Sequence, residues 1–464
     1  MIDTKNIEGI YFIGIGGIGM SALARYFMAG DFAVAGYDRS ESSLTLALSE
    51  EGCDISYKDD INSLPAILRD PSAKDKTLII YTPAIPAGNN IISFFRSNGY
   101  KMFKRSEILG EISEKTDTLA VSGTHGKTTV SAMLAHLLKQ SHVGCSAFLG
   151  GISKNYNSNL LLGESRFTVM EADEFDRSFH RLHPFMAVVT SVDADHLEIY
   201  GDHPAMIEAY NEFCRKIRKG GNLVVNSKIR DKIAIPDGVA GFTYGLSEDT
   251  DFRSLNIKQK GDSYRFDLKT PDKIIEDISF TFPGLINIEN ATAASAIALL
   301  CSVTEQELRK AFISFRGVQR RFDIRINYPG LVYIDDYAHH PEEISACITS
   351  VKEYFGGRKI TGIFQPHLYS RTRDHAGGFA QILDILDDVI LLPVYPAREE
   401  PIEGVSSEMI YKMMKLKKKR LLNKEDIPGE LDIENLDVLL TIGAGDIDRL
   451  VAPIEETLKR RRKQ

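Results

Sequence analysis

Residues 118–138 constrain the fold more than any other stretch of this chain. An apolar run, Thr118–Val121, enters Ser122-Gly123-Thr124-His125-Gly126-Lys127-Thr128-Thr129 and emerges as a helix with Val130, Met133, Leu134, Leu137 and Leu138 at helical spacing. A strand that turns through glycines directly into a helix belongs to a parallel α/β sheet, where ligands sit at the strand C-termini. The turn has the chemistry of a phosphate cradle. Its backbone amides suit phosphate oxygens, Lys127 the β/γ charge, and the Thr128 hydroxyl a divalent ion. Val121 stands where the usual phosphate-loop pattern has its first glycine, and a plain turn with a chance Gly-Lys-Thr is the bland alternative. The flanking strand and helix favour ATP.

The same arrangement recurs on both sides. Ile10–Ile15 runs into Gly16-Gly17-Ile18-Gly19 and a helix from about Met20. A third α/β block after Arg320 has apolar runs at Leu331–Ile334, Lys359–Phe364, Asp388–Leu392 and Val438–Ile442. At 464 residues the chain exceeds one ordinary core and divides into three domains of roughly 150 residues each. The breaks fall near Lys104–Glu111 and Gly317–Arg321, giving 1–107, 108–318 and 319–464. The expected class is α/β in three domains: a Rossmann-like N-terminal domain, a central P-loop ATPase domain with a mixed sheet, and a Rossmann-like C-terminal domain. The mixed sheet follows from apolar/polar alternation at Tyr264–Leu268 and Ile278–Phe282, which adds antiparallel strands.

Gly14-x-Gly16-Gly17-x-Gly19 follows a strand and opens a helix, so it presents N–H groups to a phosphate at a helix N-terminus. Asp38, 19 residues past Gly19, falls near the end of the next strand, where a dinucleotide site puts its ribose-binding acid. Alone, this pattern fits NAD, another nucleotide diphosphate, or only a tight turn with close helix packing.

Two acid-rich loops follow the P-loop. Glu171-Ala-Asp173-Glu174-Phe-Asp176 comes after the run Phe167–Met170, and Asp193-Ala-Asp195-His196-Leu-Glu198 after Met186–Ser191. Such acid clusters also describe exposed turns, and a lone histidine is more often a satisfied surface residue. Paired at the ends of two apolar strands, they read as a metal cluster. Hard oxygens with one imidazole suit Mg²⁺ or Mn²⁺.

Further blocks follow in order: Pro283-Gly284-x-x-Asn287-x-x-Asn290-Ala291, Arg320-Arg321-Phe322, Asp335-Asp336-Tyr337-Ala338-His339-His340-Pro341 and Gln365-Pro366-His367-x-Tyr369-x-Arg371-Thr372-Arg373. Together with the P-loop, Glu171-Ala-Asp-Glu and Asp195-His196-Leu, they span nearly the whole chain. In this combination the sequence resembles the Mur ligases. Ile13–Ala24, His125 and the His339-His340 pair are similar to members that add L-alanine to UDP-N-acetylmuramate. The resemblance implies UDP-sugar binding at Gly14, Gly16, Gly17, Gly19 and Asp38, and ATP on the second domain. It also implies a third domain that closes over both and binds the amino acid. On the same ground Lys127 contacts the phosphates, Thr128 and Glu171 hold one Mg²⁺, and His196 serves a second. Asn287 and Asn290 match positions near adenine, and Arg320 or Arg321 brings charge to the nucleotide phosphates. Ile286 stands where the family often has histidine, and Leu368 where alanine-adding members usually carry arginine. Arg371 and Arg373 are then left to clamp the amino acid's carboxylate.

The implied reaction begins with attack of the muramyl carboxylate on the ATP γ-phosphate, giving an acyl phosphate and ADP. The amine of L-alanine then displaces phosphate. Two anions must meet, so cationic charge from Lys127, the metal ions and an arginine is needed where charge accumulates. His196 or His339 has the intrinsic pKa to keep the amine neutral. The catalytic candidates are therefore Lys127, His196, His339 and Arg371. A sibling that attaches a recycled tripeptide to the same UDP-sugar is the near alternative. An NAD-dependent oxidoreductase built on Gly14–Gly19 and Asp38 is the distant one.

A formal charge of −8 argues against bulk nucleic-acid binding. The basic runs Lys415–Arg420 and Lys459–Lys463 read as solvated helix faces and a frayed terminus. Five scattered cysteines without close pairs indicate buried thiols in a reducing compartment. No segment approaches the ~20 apolar residues of a membrane span, and the first apolar run, broken by glycines, is not a secretory signal. The expectation is a cytoplasmic enzyme, monomer or homodimer, with UDP-N-acetylmuramate, L-alanine and ATP as partners and neither membrane nor nucleic acid.

Overall fold

The structure, a computed structural model, describes residues 6–86, 88–397, 399–431 and 433–461. The first of its three sheets has five parallel strands in the order Asp54–Ser56, Ala33–Tyr37, Gly9–Ile13, Thr77–Tyr81, Lys101–Lys104. The order reverses beside Gly9–Ile13, so the crevice at that strand's C-terminus opens onto the first glycine loop. Phe12, Leu78 and Ile80 from this sheet share a core with Leu23 and Phe27 of the helix Ile18–Met28.

In the second, ten-stranded sheet, Asp117–Ser122 lies parallel between Phe167–Glu171 and Met186–Val189. Both neighbours end where an acid loop begins, so the two loops flank the P-loop. The alternating segments form the antiparallel strands Ser263–Lys269 and Ile274–Phe280 at one edge. At the other edge lies a hairpin that no alternation reveals, Ser146–Ser153 with Ser158–Leu161.

The third sheet has six strands in the order Asp323–Tyr328, Leu331–Asp336, Val438–Ile442, Ile360–Phe364, Asp388–Leu391, Lys419–Leu421. Only Asp323–Tyr328 is antiparallel to its neighbour. The strand Lys419–Leu421 corrects the expectation that Lys415–Arg420 forms a helix face. The run enters a sheet edge instead, where Lys419 Nζ donates to Tyr411 O (2.8 Å) and Arg420 pairs with Asp388. Lysine on an edge strand discourages pairing with another chain. Of the terminal run, Lys459 and Arg460 pair with Glu455 and Glu456 on the helix Asp448–Arg461; Arg462 and Lys463 lie outside the described residues.

By compactness the chain forms two units, Met1–Thr281 with Glu289–Arg316, and Phe282–Ile288 with Gly317–Gln464. The first two sheets share one unit and the third belongs to the other. All five cysteines are free and buried. No described helix is long and apolar enough to cross a membrane.

Candidate active site

The helix Lys127–Lys139 starts from Gly126, whose φ of 82° is left-handed, and Gly123 has a φ of 133°. A Cβ on Gly123 would overlap Thr190 Oγ1 and stand 2.8 Å from Ser191 N, so only glycine lets the loop close here. The segment after Met186–Val189 is stitched to the P-loop. Thr124 N–H donates to Ser191 O (3.1 Å), His125 N–H to Ser191 Oγ (2.9 Å), and Asp193 N–H to Thr124 Oγ1 (3.1 Å).

Lys127 is buried against the first acid loop. Its Nζ donates to Glu174 Oε1 (2.8 Å) and to the carbonyls of Gly123 (2.6 Å) and Thr124 (3.3 Å). Burial works against the ammonium charge, but the carboxylates of Glu174, Asp173 and Glu171 outweigh it and raise the pKa. Burial in turn pushes the Glu174 carboxyl up, with Lys127 pulling it back. The pair is a buried ammonium–carboxylate contact in which the lysine keeps its proton.

Thr128 and Glu171 are brought together as the metal expectation requires. Thr128 Oγ1 donates to Glu171 Oε1 at 3.2 Å. A Cβ on Gly150 would stand 2.5 Å from the Glu171 carboxylate carbon, so that glycine keeps open the recess the acid occupies. His196 lies on the other loop with a φ of 52°, its ring edge-on to Phe175 at 5.2 Å and its Nε2 3.8 Å from Asp195. Among the described residues no three His, Cys, Asp or Glu side chains converge as a metal site. With His196 standing on the other acid loop, the residues read as metal ligands leave a threonine–glutamate pair together at the P-loop. That suits Mg²⁺, which usually takes one or two carboxylates and completes its shell with phosphate and water. Asn290 faces the P-loop, its Oδ1 3.0 Å from where a Cβ on Gly126 would be.

The first glycine loop gathers its predicted members. Gly14 has a φ of 85°, and Gly17 caps the helix Ile18–Met28. The Asp38 carboxylate lies on the loop itself, where its Oδ2 accepts the Gly16 N–H at 2.7 Å.

The remaining candidates lie on the helix Leu285–Leu300 and beside the strand ends of the third sheet. Asn287, at the start of the helix Leu285–Leu300, donates from Nδ2 to Pro283 O at 2.5 Å. Arg320 holds Asp335 (3.2 Å) and the Gly443 carbonyl (2.6 Å). Both Arg320 and Arg321 stand 5.1 Å from the Tyr337 ring centre. His339 Nδ1 is 3.1 Å from Glu343 Oε2, and its ring meets that of His367 at 5.9 Å. Arg371 opens the helix Tyr369–Leu383, whereas the exposed Arg373 is paired with Asp374 at 2.7 Å.

Two residues of the P-loop surroundings escaped assignment from sequence. Glu174 lay within a visible acid block, but only its buried contact with Lys127 singles it out. Ser191 had no signal at all, being one hydroxyl at a strand end.

These elements define the class. Family models described as the Mur ligase family catalytic domain, the Mur ligase middle domain and the Mur ligase glutamate ligase domain match residues 9–116, 121–298 and 320–445, and the chain belongs to the Mur ligase family. It is 49% identical over 458 residues to a UDP-N-acetylmuramate–L-alanine ligase of Parabacteroides distasonis, covering 98% of each chain. The crystal structure of a UDP-N-acetylmuramate–alanine ligase from Thermotoga maritima superposes with a TM-score of 0.82 at 27% identity, covering 98% of this chain and 99% of that one. A murein peptide ligase from Psychrobacter arcticus shares the fold at a TM-score of 0.71 and 21% identity, covering 97% and 98%.

Proposed function

We infer that this chain joins L-alanine to the carboxylate of UDP-N-acetylmuramate at the expense of ATP, a step of peptidoglycan precursor synthesis. The 49% identity to an L-alanine-adding ligase across 98% of both chains carries the reading. A dinucleotide oxidoreductase leaves the P-loop and its Thr128–Glu171 pair without a purpose. The tripeptide-adding alternative shares most of the motifs, but the murein peptide ligase of Psychrobacter arcticus, at 21% identity, supports the fold alone.

Residues 1–107 would bind the UDP-sugar through Gly14, Gly16, Gly17 and Gly19, residues 108–318 ATP, and residues 319–464 the amino acid. A muramyl carboxylate oxygen attacks the γ-phosphorus as its bond to the ADP oxygen breaks. The alanine amine then attacks the acyl carbon, the bond to the phosphate oxygen breaks, and a base takes the amine proton. Lys127 would leave Glu174 for the nucleotide phosphates, and Arg371 would take the alanine carboxylate. His196 and His339 are the candidate bases. Thr128 and Glu171 fit Mg²⁺, since they offer two adjacent hard oxygens, and the ion would neutralise phosphate charge. Five free, buried thiols support a cytoplasmic setting.

ADP release in the presence of UDP-N-acetylmuramate, with L-alanine, glycine, L-serine and the tripeptide in competition, tests the proposal. L-Alanine should drive turnover best. Release driven by the tripeptide alone would refute it.

A further inference from the structure

We propose that Arg105, held in place by Asp173, is a further anion-binding residue of the sugar-nucleotide site. The inference rests on the ligase reading of the first glycine loop.

The helix Arg105–Lys115 links the last strand of the first sheet, Lys101–Lys104, to the P-loop strand Asp117–Ser122. Its start is tied to the acid loop by Lys104–Asp176 (2.9 Å), Arg105–Asp173 (3.0 Å) and Arg181–Glu107 (3.9 Å). Such half-exposed pairs contribute little stability singly. Arg105 differs from the others in what lies on its far side.

A Cβ on Gly19 would overlap Arg105 Nη1 and stand 3.1 Å from Cζ. The guanidinium therefore lies against the first turn of the helix Ile18–Met28. The unsatisfied N–H groups of that turn attract an anion, and Gly19 is the residue whose missing side chain admits the arginine. Meanwhile Nη2 donates to Asp173 Oδ2 at 3.0 Å. Arginine presents its donors in a rigid planar fork, so one edge can keep Asp173 while another takes an anionic oxygen. A lysine cannot do both with the same geometry.

The arrangement also meets an electrostatic need. The UDP-sugar carries a diphosphate and a carboxylate, and its partner ATP is a polyanion. Among the residues named here, Arg105 is the cation that contacts both the first glycine loop and the P-loop's acid block.

The test uses the full chain and titrates wild type, Arg105→Ala and Arg105→Lys with uridine, UDP, UDP-N-acetylmuramate and a non-hydrolysable ATP analogue. In Arg105→Ala, binding of UDP-N-acetylmuramate should weaken at least tenfold and uridine binding should not change. Arg105→Lys should recover part of the loss, and retained ATP-analogue binding within about threefold of wild type would report an intact P-loop. Weakened UDP binding assigns the anion to the diphosphate; a loss confined to UDP-N-acetylmuramate assigns it to the muramyl carboxylate. Unchanged UDP-sugar binding in Arg105→Ala, or an equal loss for uridine, overturns the inference alone. A wild type that binds neither UDP nor the UDP-sugar overturns it together with the ligase reading.

Discussion

Glu399 closes the N-terminus of the helix Tyr369–Leu383: its Oε2 accepts the Ser370 N–H at 2.9 Å and its Oε1 the Ser370 hydroxyl. A carboxylate there satisfies an orphan donor and complements the helix dipole. The same turn carries Arg371, and Leu368 before it is held at a φ of 68° by the backbone of Tyr395. Glu399→Ala should therefore raise the KM for L-alanine about tenfold while moving the KM for ATP less than twofold. Steady-state kinetics with each substrate varied in turn checks this, and equal rises in both constants would rule it out.

The two arginines of this helix should part company. Arg373 is exposed and already paired with Asp374, so Arg373→Ala should change the KM for L-alanine less than about threefold. Arg371→Ala should raise it more than tenfold, the scale of one lost charge-assisted carboxylate contact. The reverse order would move the carboxylate clamp to Arg373.

Removing Lys127 leaves a buried carboxylate without its counter-charge. Lys127→Met should abolish turnover and also destabilise the protein by about 3–5 kcal/mol. Lys127→Met/Glu174→Gln should recover most of that stability, because both charges leave together, yet stay inactive. Urea unfolding beside an ADP-release assay separates the two effects. A double variant as unstable as the single one would mean that the ion pair is not what the lysine stabilises.

His136 supplies a pH dependence. It is buried, with Nδ1 2.9 Å from the Tyr156 hydroxyl and Nε2 2.9 Å from Ser314 Oγ. Burial lowers its pKa to about 4, partly opposed by the Ala311 carbonyl. The folded value lies below the unfolded one of 6.5, so the unfolded chain takes up the proton first. The stability linked to this group is present above pH 6.5 and lost as pH falls towards 4, by about 3 kcal/mol at most. His136→Gln should flatten the fall in unfolding free energy across that window. Parallel slopes for the two proteins would exclude His136 as its source.

Parallel strands covered on both faces are nearly continuous apolar runs, so Thr118–Val121 and Val438–Ile442 were plain in the sequence, and glycines marked the turns after them. Asp323–Tyr328 and Ser158–Leu161 were not, because edge strands mix polar residues without a clean period. Within the site, Gly123–Thr129 and Glu171 could be read from order and spacing. Glu174 could not be singled out, since its meeting with Lys127 spans 47 residues and lies beside a turn in which Asp176 and Arg177 both adopt a φ of 53°. Tertiary contacts select such conformations against local preference. Arg105 was equally silent, as its surroundings come from Gly19 and Asp173, far apart in the chain.

The Asp38 carboxylate on the Gly16 amide has a consequence for selectivity. The first glycine loop carries its own competing anion, tethered at high local concentration. Inorganic phosphate or a free carboxylate offers that amide little more than Asp38 does and must expel it to enter. A ligand that spans several donors along the helix start gains contacts the single aspartate cannot match. If the loop takes the sugar nucleotide proposed for it, Asp38 would tune it against small anions and favour an extended ligand.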